Sequence, residues 1–408
     1  MAINYYKKKT FIPEAEQIPL EDILTAYYEC RRRKRKTINA LKFEINQEKN
    51  LVKLWNDINT KTYTIGQSIC FIVTRPKRRE VFAADFRDRI VHHIIMQRLK
   101  PLFEQTFIED DYSCRDEKGT LFGVQRLYDK MMEFRRIHNG KCWVGKFDIK
   151  GFFMSIHKSI LWNKLEKFIE LNYNQPDKPT LLWLSKMVCL HKPQNNAFRK
   201  SRIEEWNKLP PNKSLFTCDQ DCGLPIGNLT SQCFANFYMD DFDHWMSNMF
   251  GGYYGRYVDD FYVLAESKEF IKSKVKLIRD YLKNNLGLTL HPDKIYIQKS
   301  SSGVKFIGSV IKPGRIYAGN QTRSNMIKMI HHYNHEYCDV DTCEEFVQKF
   351  NSYLGFMAHS SSYNVRKKAW DLVDNKWKLV LKIDNDYKKV LPEDFFNKTK
   401  RIKKKGAI

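Results

Sequence analysis

The stretch YYGRYVDDFYVLA, residues 253–265, confines this chain more tightly than any other part of it. Aromatic and β-branched residues on both sides of Asp259 and Asp260 favour strands. Aspartates are also common turn formers, so the segment reads as two short strands reversing at an acidic turn. Upstream, KCWVGKFDIKGFFMSI (141–156) starts as an apolar strand that ends at Asp148, and a helix follows from about Ile160. A chain holding both pieces is an α+β fold, and the arrangement can bring three carboxylates to one end of a sheet. Such a cluster suits phosphoryl transfer, where two divalent ions about 4 Å apart activate the attacking oxygen and stabilise the leaving one. Magnesium takes hard oxygen ligands, so aspartates are the fitting side chains.

A second acidic pair, in Tyr238-Met239-Asp240-Asp241, is a decoy. Around it Phe234, Phe237, Tyr238, Phe242, Trp245 and Met249 recur at three- and four-residue steps, the period of a helix. Its carboxylates are expected along the solvent side. Elsewhere, residues 1–60 read as a basic helical extension with a dense run from Arg31 to Lys36, suited to a solvated face or to RNA contact. Residues 191–222 read as an irregular, Pro-containing insertion. A helix is expected from about Lys268 to Leu286, then strands and a hairpin to about residue 320. Residues 321–390 read as helical, and 391–408 as a basic tail.

Charge narrows the partners. Lysine and arginine outnumber aspartate and glutamate by 70 to 47, a net +23, which suits nucleic acid. No apolar run of about 18 residues supports a membrane span. The N-terminus lacks the apolar stretch of a secretory signal, so a cytoplasmic location is expected. Ten scattered cysteines imply no disulfide framework. Cys189, His191, Cys218 and Cys222 have zinc-ligand chemistry, but their spacing favours ordinary buried cysteines. His92 and His93 lie in an apolar helix and read as packed or hydrogen-bonded. Neither GxxxxGK[ST] nor GxGxxG occurs, which removes support for ATP hydrolysis and dinucleotide binding.

Taken in order, FDIKGFF (147–153), GLPIGNLTSQ (223–232), YVDD (257–260), LHPDK (290–294) and VKFIG (304–308) resemble the reverse-transcriptase palm. REVFAADFRDRIVHH and YSCRDEKGT are similar to the fingers of that family, so the resemblance spans roughly residues 70–320. Ile226, Gly227, Ser231 and Gln232 match the IGxxxSQ form of the reverse transcriptases of diversity-generating retroelements. The resemblance implies a right-hand polymerase, with fingers and palm over 61–320 and a short helical thumb over 321–390. No attached ribonuclease H or endonuclease is expected.

By matching position, the resemblance makes Asp148, Asp259 and Asp260 the ligands of two Mg2+ ions, or Mn2+, with the Ile149 carbonyl joining them. Lys294 would give a proton to departing pyrophosphate. Arg75, Lys77 and Arg79 would clamp the incoming triphosphate, as a guanidinium fork suits phosphate oxygens. Phe153 would exclude a ribose 2′-hydroxyl, making dNTPs the substrate. Gly227 would let backbone approach the template and primer. Ile226, aliphatic where other groups have a polar residue, would loosen base selection and so favour errors opposite template adenines. The implied partners are a structured template-repeat RNA, the cDNA or primer, and a small basic helical accessory protein that is oligomeric. The rival readings are a reverse transcriptase of the intron or phage-defence type, an RNA-dependent RNA polymerase, and an idle RNA-binding protein that kept the fold.

Overall fold

The computed structural model describes residues 11–32, 34–74 and 77–393. The chain divides into two compact units. The first holds residues up to Asp116, Phe147–Gly252 and Lys272–Ile295; the second holds Glu117–Lys146, Tyr253–Ile271 and residues from Tyr296 onward.

The first unit is mostly helical. Helices Leu20–Arg31, Ile38–Glu44 and Gln47–Asn59 fill the described part of the first 60 residues, as expected. Helix Leu20–Arg31 packs on helix Phe86–Thr106 through Ile23, Ala26 and Tyr27, all buried. Arg98 ties that contact down, donating to Asp22 at 2.7 Å and to Asp177 at 2.6 Å. Helix Leu229–Met249 also packs on helix Phe86–Thr106, with Phe103 stacked on Phe237 at 4.7 Å between centroids. The helical reading of the 238–241 pair therefore holds. Its solvent-side placement holds for Asp241 but not for Asp240, which is buried together with Asp243. The helix is buried on nearly every face, so little of its circumference is left for water.

Three strands of this unit form a small sheet: β1 (Ser68–Val73) pairs antiparallel with β2 (Arg79–Ala83) and parallel with β4 (Ala197–Arg199). The third strand comes from the 191–222 segment, which corrects the reading of that segment as irregular. It also contains helix Ile203–Asn207 and two short 3-10 turns. Its anchor is Glu80 on β2, fully buried, whose carboxylate accepts from Ser214 Oγ at 2.6 Å and Leu215 N at 2.8 Å. Arg78 pairs with Glu205 on the outer side.

The second unit has a sheet in the order β5-β6-β3-β7, from β3 (Trp143–Asp148), β5 (Tyr254–Tyr257), β6 (Asp260–Ala265) and β7 (Tyr296–Lys299). Strand β3 begins in this unit and its last two residues belong to the first. Helix Thr120–Ile137 packs on β5, and Lys130 donates to the Tyr254 carbonyl at 3.0 Å. A meander follows, β8 (Val304–Phe306), β9 (Ser309–Lys312) and β10 (Arg315–Ala318), all antiparallel. Beyond it helices Asn320–His335, Val340–Ala358 and Tyr363–Asp371 enclose their own core around Tyr333, Phe346, Phe350 and Trp377. A hairpin of β11 (Leu381–Ile383) and β12 (Val390–Pro392) closes that core, an addition to the all-helical reading of this stretch. Most of the 391–408 tail lies outside the described residues.

Candidate active site

The acidic hairpin is built as its residue types suggest, with one shift. Tyr257 pairs with Asp260, so Asp260 opens β6 and only Val258 and Asp259 form the loop. Val258 has φ 59°, in the left-handed region. A β-branched side chain there is strained by roughly 1–2 kcal/mol, a cost the surrounding contacts must hold. Arg256 supplies one of them. It is fully buried, and its Nη1 donates to the Val258 carbonyl at 3.0 Å. Asp260 is faced by the Lys146 ammonium at 3.2 Å, within the second unit.

Asp148 is the last residue of β3, two positions beyond Lys146 and so on the same face of the strand. In the first unit the chain around it pairs with 289–291. His291 N donates to the Asp148 carbonyl at 2.8 Å, Lys150 N donates to Thr289 O at 2.9 Å, and Ile149 bridges to Leu290. This pairing brings Lys294 round, and its ammonium bonds Asp148 Oδ2 at 2.7 Å. The Asp148 side chain is 13% exposed and that of Lys294 45%. Sequence reasoning did not single out Lys146 or Arg256. Lys146 had a signal, its two-residue offset from Asp148 in a strand; Arg256 had the weaker one of a guanidinium inside an apolar strand.

Phe153 and Ile226 come together. Phe153 sits on the short helix Phe152–Ser155, and backbone bonds from Leu224 N to Phe153 O (2.8 Å) and Gly223 N to Ile156 O (2.9 Å) lay the 223–226 segment beside it. Both side chains are half-buried and pack on Cys70, Phe82, Met154 and Leu215. Phe82 N then donates to the Ile226 carbonyl at 2.8 Å, pinning the same segment to β2. Gly227 follows with φ 120°, and a Cβ there would stand 2.7 Å from Phe82 O and 2.9 Å from Val81 Cγ1. The close backbone approach that Gly227 permits is thus to β2. The side chain of Asn228 accepts from Ala84 N at 3.4 Å, continuing the attachment. Gln232 is exposed on the first turn of helix Leu229–Met249 and accepts from Cys114 Sγ at 3.3 Å.

Arg79 opens β2 and is exposed, as is Lys77 just before it; Arg75 lies outside the described residues. His92 is buried, its imidazole pushed down to about 3 by desolvation, with Thr230 Oγ1 3.4 Å from Nδ1. His93 Nδ1 lies 3.3 Å from Glu29. Cys189, His191, Cys218 and Cys222 lie near Lys158. Lys158 is buried at this place and donates to the His191 carbonyl at 2.7 Å. Burial pushes the Cys222 thiol up to about 11 and the Cys189 thiol to about 12, which keeps both protonated. No helix among the described residues is long and apolar enough to cross a membrane.

Comparison with known proteins adds the family. A family model described as reverse transcriptase (RNA-dependent DNA polymerase) matches residues 75–311. Protein YkfC of Escherichia coli (strain K12) is 21% identical over 268 residues, covering 57% of this chain and 62% of that protein. Telomerase from Candida albicans, solved with a fragment of telomeric RNA, is similar at TM-score 0.47 and 10% identity, over 78% of this chain and 60% of that one. Apo telomerase from Candida tropicalis is similar at TM-score 0.46 and 10% identity, over 76% and 57%. The chain thus spans about three fifths of the length of the relatives it matches. The family match covers more than half of the chain and contains Asp148, Asp259 and Asp260: the chain belongs to the reverse transcriptases.

Proposed function

We propose that the protein is an RNA-directed DNA polymerase whose reaction centre is Asp148, Asp259 and Asp260, serving a diversity-generating retroelement. The observation that carries this reading is the placing of these aspartates inside the family match. Asp148 ends a strand, Asp259 lies in the two-residue loop with the strained Val258, and Asp260 opens the next strand. In this reading residues 61–320 are fingers and palm, and 321–390 the thumb.

The aspartates offer only hard carboxylate oxygens, the donors that Mg2+ or Mn2+ takes. Lys294 and Lys146 already set positive charge against Asp148 and Asp260, where a cation is wanted. Ions held by the three carboxylates and the Ile149 carbonyl would activate the primer hydroxyl and stabilise the departing pyrophosphate. The protein's own groups do the rest. Arg79 and Lys77, exposed before and on β2, hold the triphosphate. Lys294, fixed by its bond to Asp148, gives a proton to the leaving group. In this reading the Phe153 ring excludes a ribose 2′-hydroxyl, and Ile226, packed on the same cluster, withholds the polar contact that sharpens base choice. The finer reading includes a template-repeat RNA, errors opposite adenines and a small basic oligomeric accessory protein, and its support is the IGNLTSQ motif.

The test is extension of a primed RNA template with dNTPs or rNTPs in separate reactions, with product sequencing. The wild type should build DNA and discriminate against rNTPs, with errors concentrated opposite adenines. Phe153→Ala should raise rNTP use by at least about tenfold, the scale of losing one well-placed steric contact. Equal use of both nucleotides by the wild type would overturn the DNA-polymerase reading; unchanged discrimination by Phe153→Ala would overturn the gate.

A further inference from the structure

Lys146 is a positive charge on an inner strand. In the order β5-β6-β3-β7 its strand, β3, has a neighbour on each side, a setting where lysine is rare unless it has a partner. Val144 and Phe147 on the same strand are buried, and the Lys146 side chain is only 20% exposed. Its ammonium stands 3.2 Å from Oδ2 of Asp260, the first residue of the adjoining strand β6. Stability does not account for this lysine. The Asp260 side chain is 30% exposed, and ion pairs between partly exposed groups contribute little to folding. Nor does the reaction as set out above use it, since Lys294 gives the proton while Arg79 and Lys77 hold the triphosphate.

What Lys146 faces is a pair of like charges. Asp259 and Asp260 are consecutive in a hairpin already strained at Val258, and their carboxylates repel one another when no cation stands beside them. An ammonium on a flexible four-carbon stem offsets that repulsion and can still step aside. It also occupies a carboxylate oxygen that a hard divalent ion would bond directly. Such an ion, on reaching Asp260, meets a positive charge within a few ångströms and has to displace it.

We propose that Lys146 is a tethered counter-ion for Asp260, balancing the acidic hairpin while no metal is bound and lowering the affinity of that carboxylate for a divalent ion. Metal is then taken up only against competition from the chain's own ammonium. Lys146 is in this sense a positioning residue that acts through Asp260. The proposal rests on the polymerase reading for the use made of the metal, whereas the ion pair itself lies wholly within the second unit.

Mn2+ binding to the full chain without nucleotide or RNA, followed by the electron paramagnetic resonance signal of the free ion, tests it. Lys146→Met keeps the apolar stem and removes the charge. It should bind Mn2+ at least about tenfold more tightly than the wild type, the scale of one unit charge removed from beside a divalent ion at a half-exposed site. Lys146→Gln should repeat the gain, which keeps the result independent of how methionine packs, and Lys146→Arg should bind as the wild type does. In an Asp260→Asn background the gain should vanish, because the two changes act on one contact. In primer extension, the Mg2+ concentration giving half the maximal rate should fall in Lys146→Met by a similar factor. Equal Mn2+ affinity in wild type and both uncharged variants would overturn the counter-ion, and so would weaker binding, which would make Lys146 a support that the metal site needs. A gain that persists in Asp260→Asn would overturn the pairing. If the uncharged variants gain Mn2+ affinity but the wild type makes no DNA, the polymerase reading fails and a metal-binding hairpin remains. DNA synthesis with the same metal dependence in wild type and Lys146→Met would sink the counter-ion alone.

Discussion

Asp240 sits on helix Leu229–Met249 with its side chain only 10% exposed, and its Oδ1 accepts no hydrogen bond, with His244 Nε2 at 3.6 Å. Desolvation pushes its carboxyl up to about 6; Lys164 pulls it down, and Asp243 and Asp241 add to the rise. Unfolded, the same group ionises near pH 4, so between roughly pH 4 and 6 the folded state holds the extra proton. Stability associated with the neutral acid is complete below that window and is lost as pH rises through it. Asp240→Asn should therefore raise the unfolding free energy at about pH 8 by roughly 2 kcal/mol and leave it nearly unchanged at about pH 4, as read by urea titration. An equal effect at both pH values would contradict the account. Apolar spacing alone separated this helical pair from the hairpin pair Asp259-Asp260. Its burial was not legible, because the far side of the helix is covered by residues distant in sequence, such as Tyr281 against Phe242 and Trp245.

Elements differ in the same way. The hairpin at 254–265, helix Lys268–Leu286 and the strand ending at Asp148 carry their own patterns of apolar residues, and each stands where those patterns place it. Strand β4 carries none. Ala197, Phe198 and Arg199 show no alternation, and they become a strand because β1 offers backbone partners more than a hundred residues away. The loop after it is held by Glu80, whose carboxyl is raised by burial and satisfied by Ser214 and Leu215. Removing a buried acceptor that satisfies two donors costs about 1–3 kcal/mol for each donor left unpaired. Glu80→Ala should thus loosen residues 211–217, seen as faster limited proteolysis within that segment, with a smaller change for Ser214→Ala. Cleavage at the wild-type rate in Glu80→Ala would show that the segment is held by its aromatic contacts instead, among them Phe82 with Phe216.

At the scale of the whole molecule, order along the chain carried the most information. Five short motifs in sequence placed it among the reverse transcriptases, and the family match over residues 75–311 agrees. The lysines that face the aspartates were legible only in part. Lys294 came from the motif LHPDK, whereas Lys146 needed the pairing of β3 with its neighbours in the sheet. The central claim is that Asp148, Asp259 and Asp260 serve one reaction. Its most direct test is primer extension on an RNA template by wild type and by the Asp148→Ala, Asp259→Ala and Asp260→Ala variants, with RNA affinity measured alongside. Each variant should bind RNA as the wild type does and lose DNA synthesis by at least about a thousandfold, a transition-state loss of roughly 4 kcal/mol. Extension at the wild-type rate by any one of the three, with RNA binding intact, would contradict the claim.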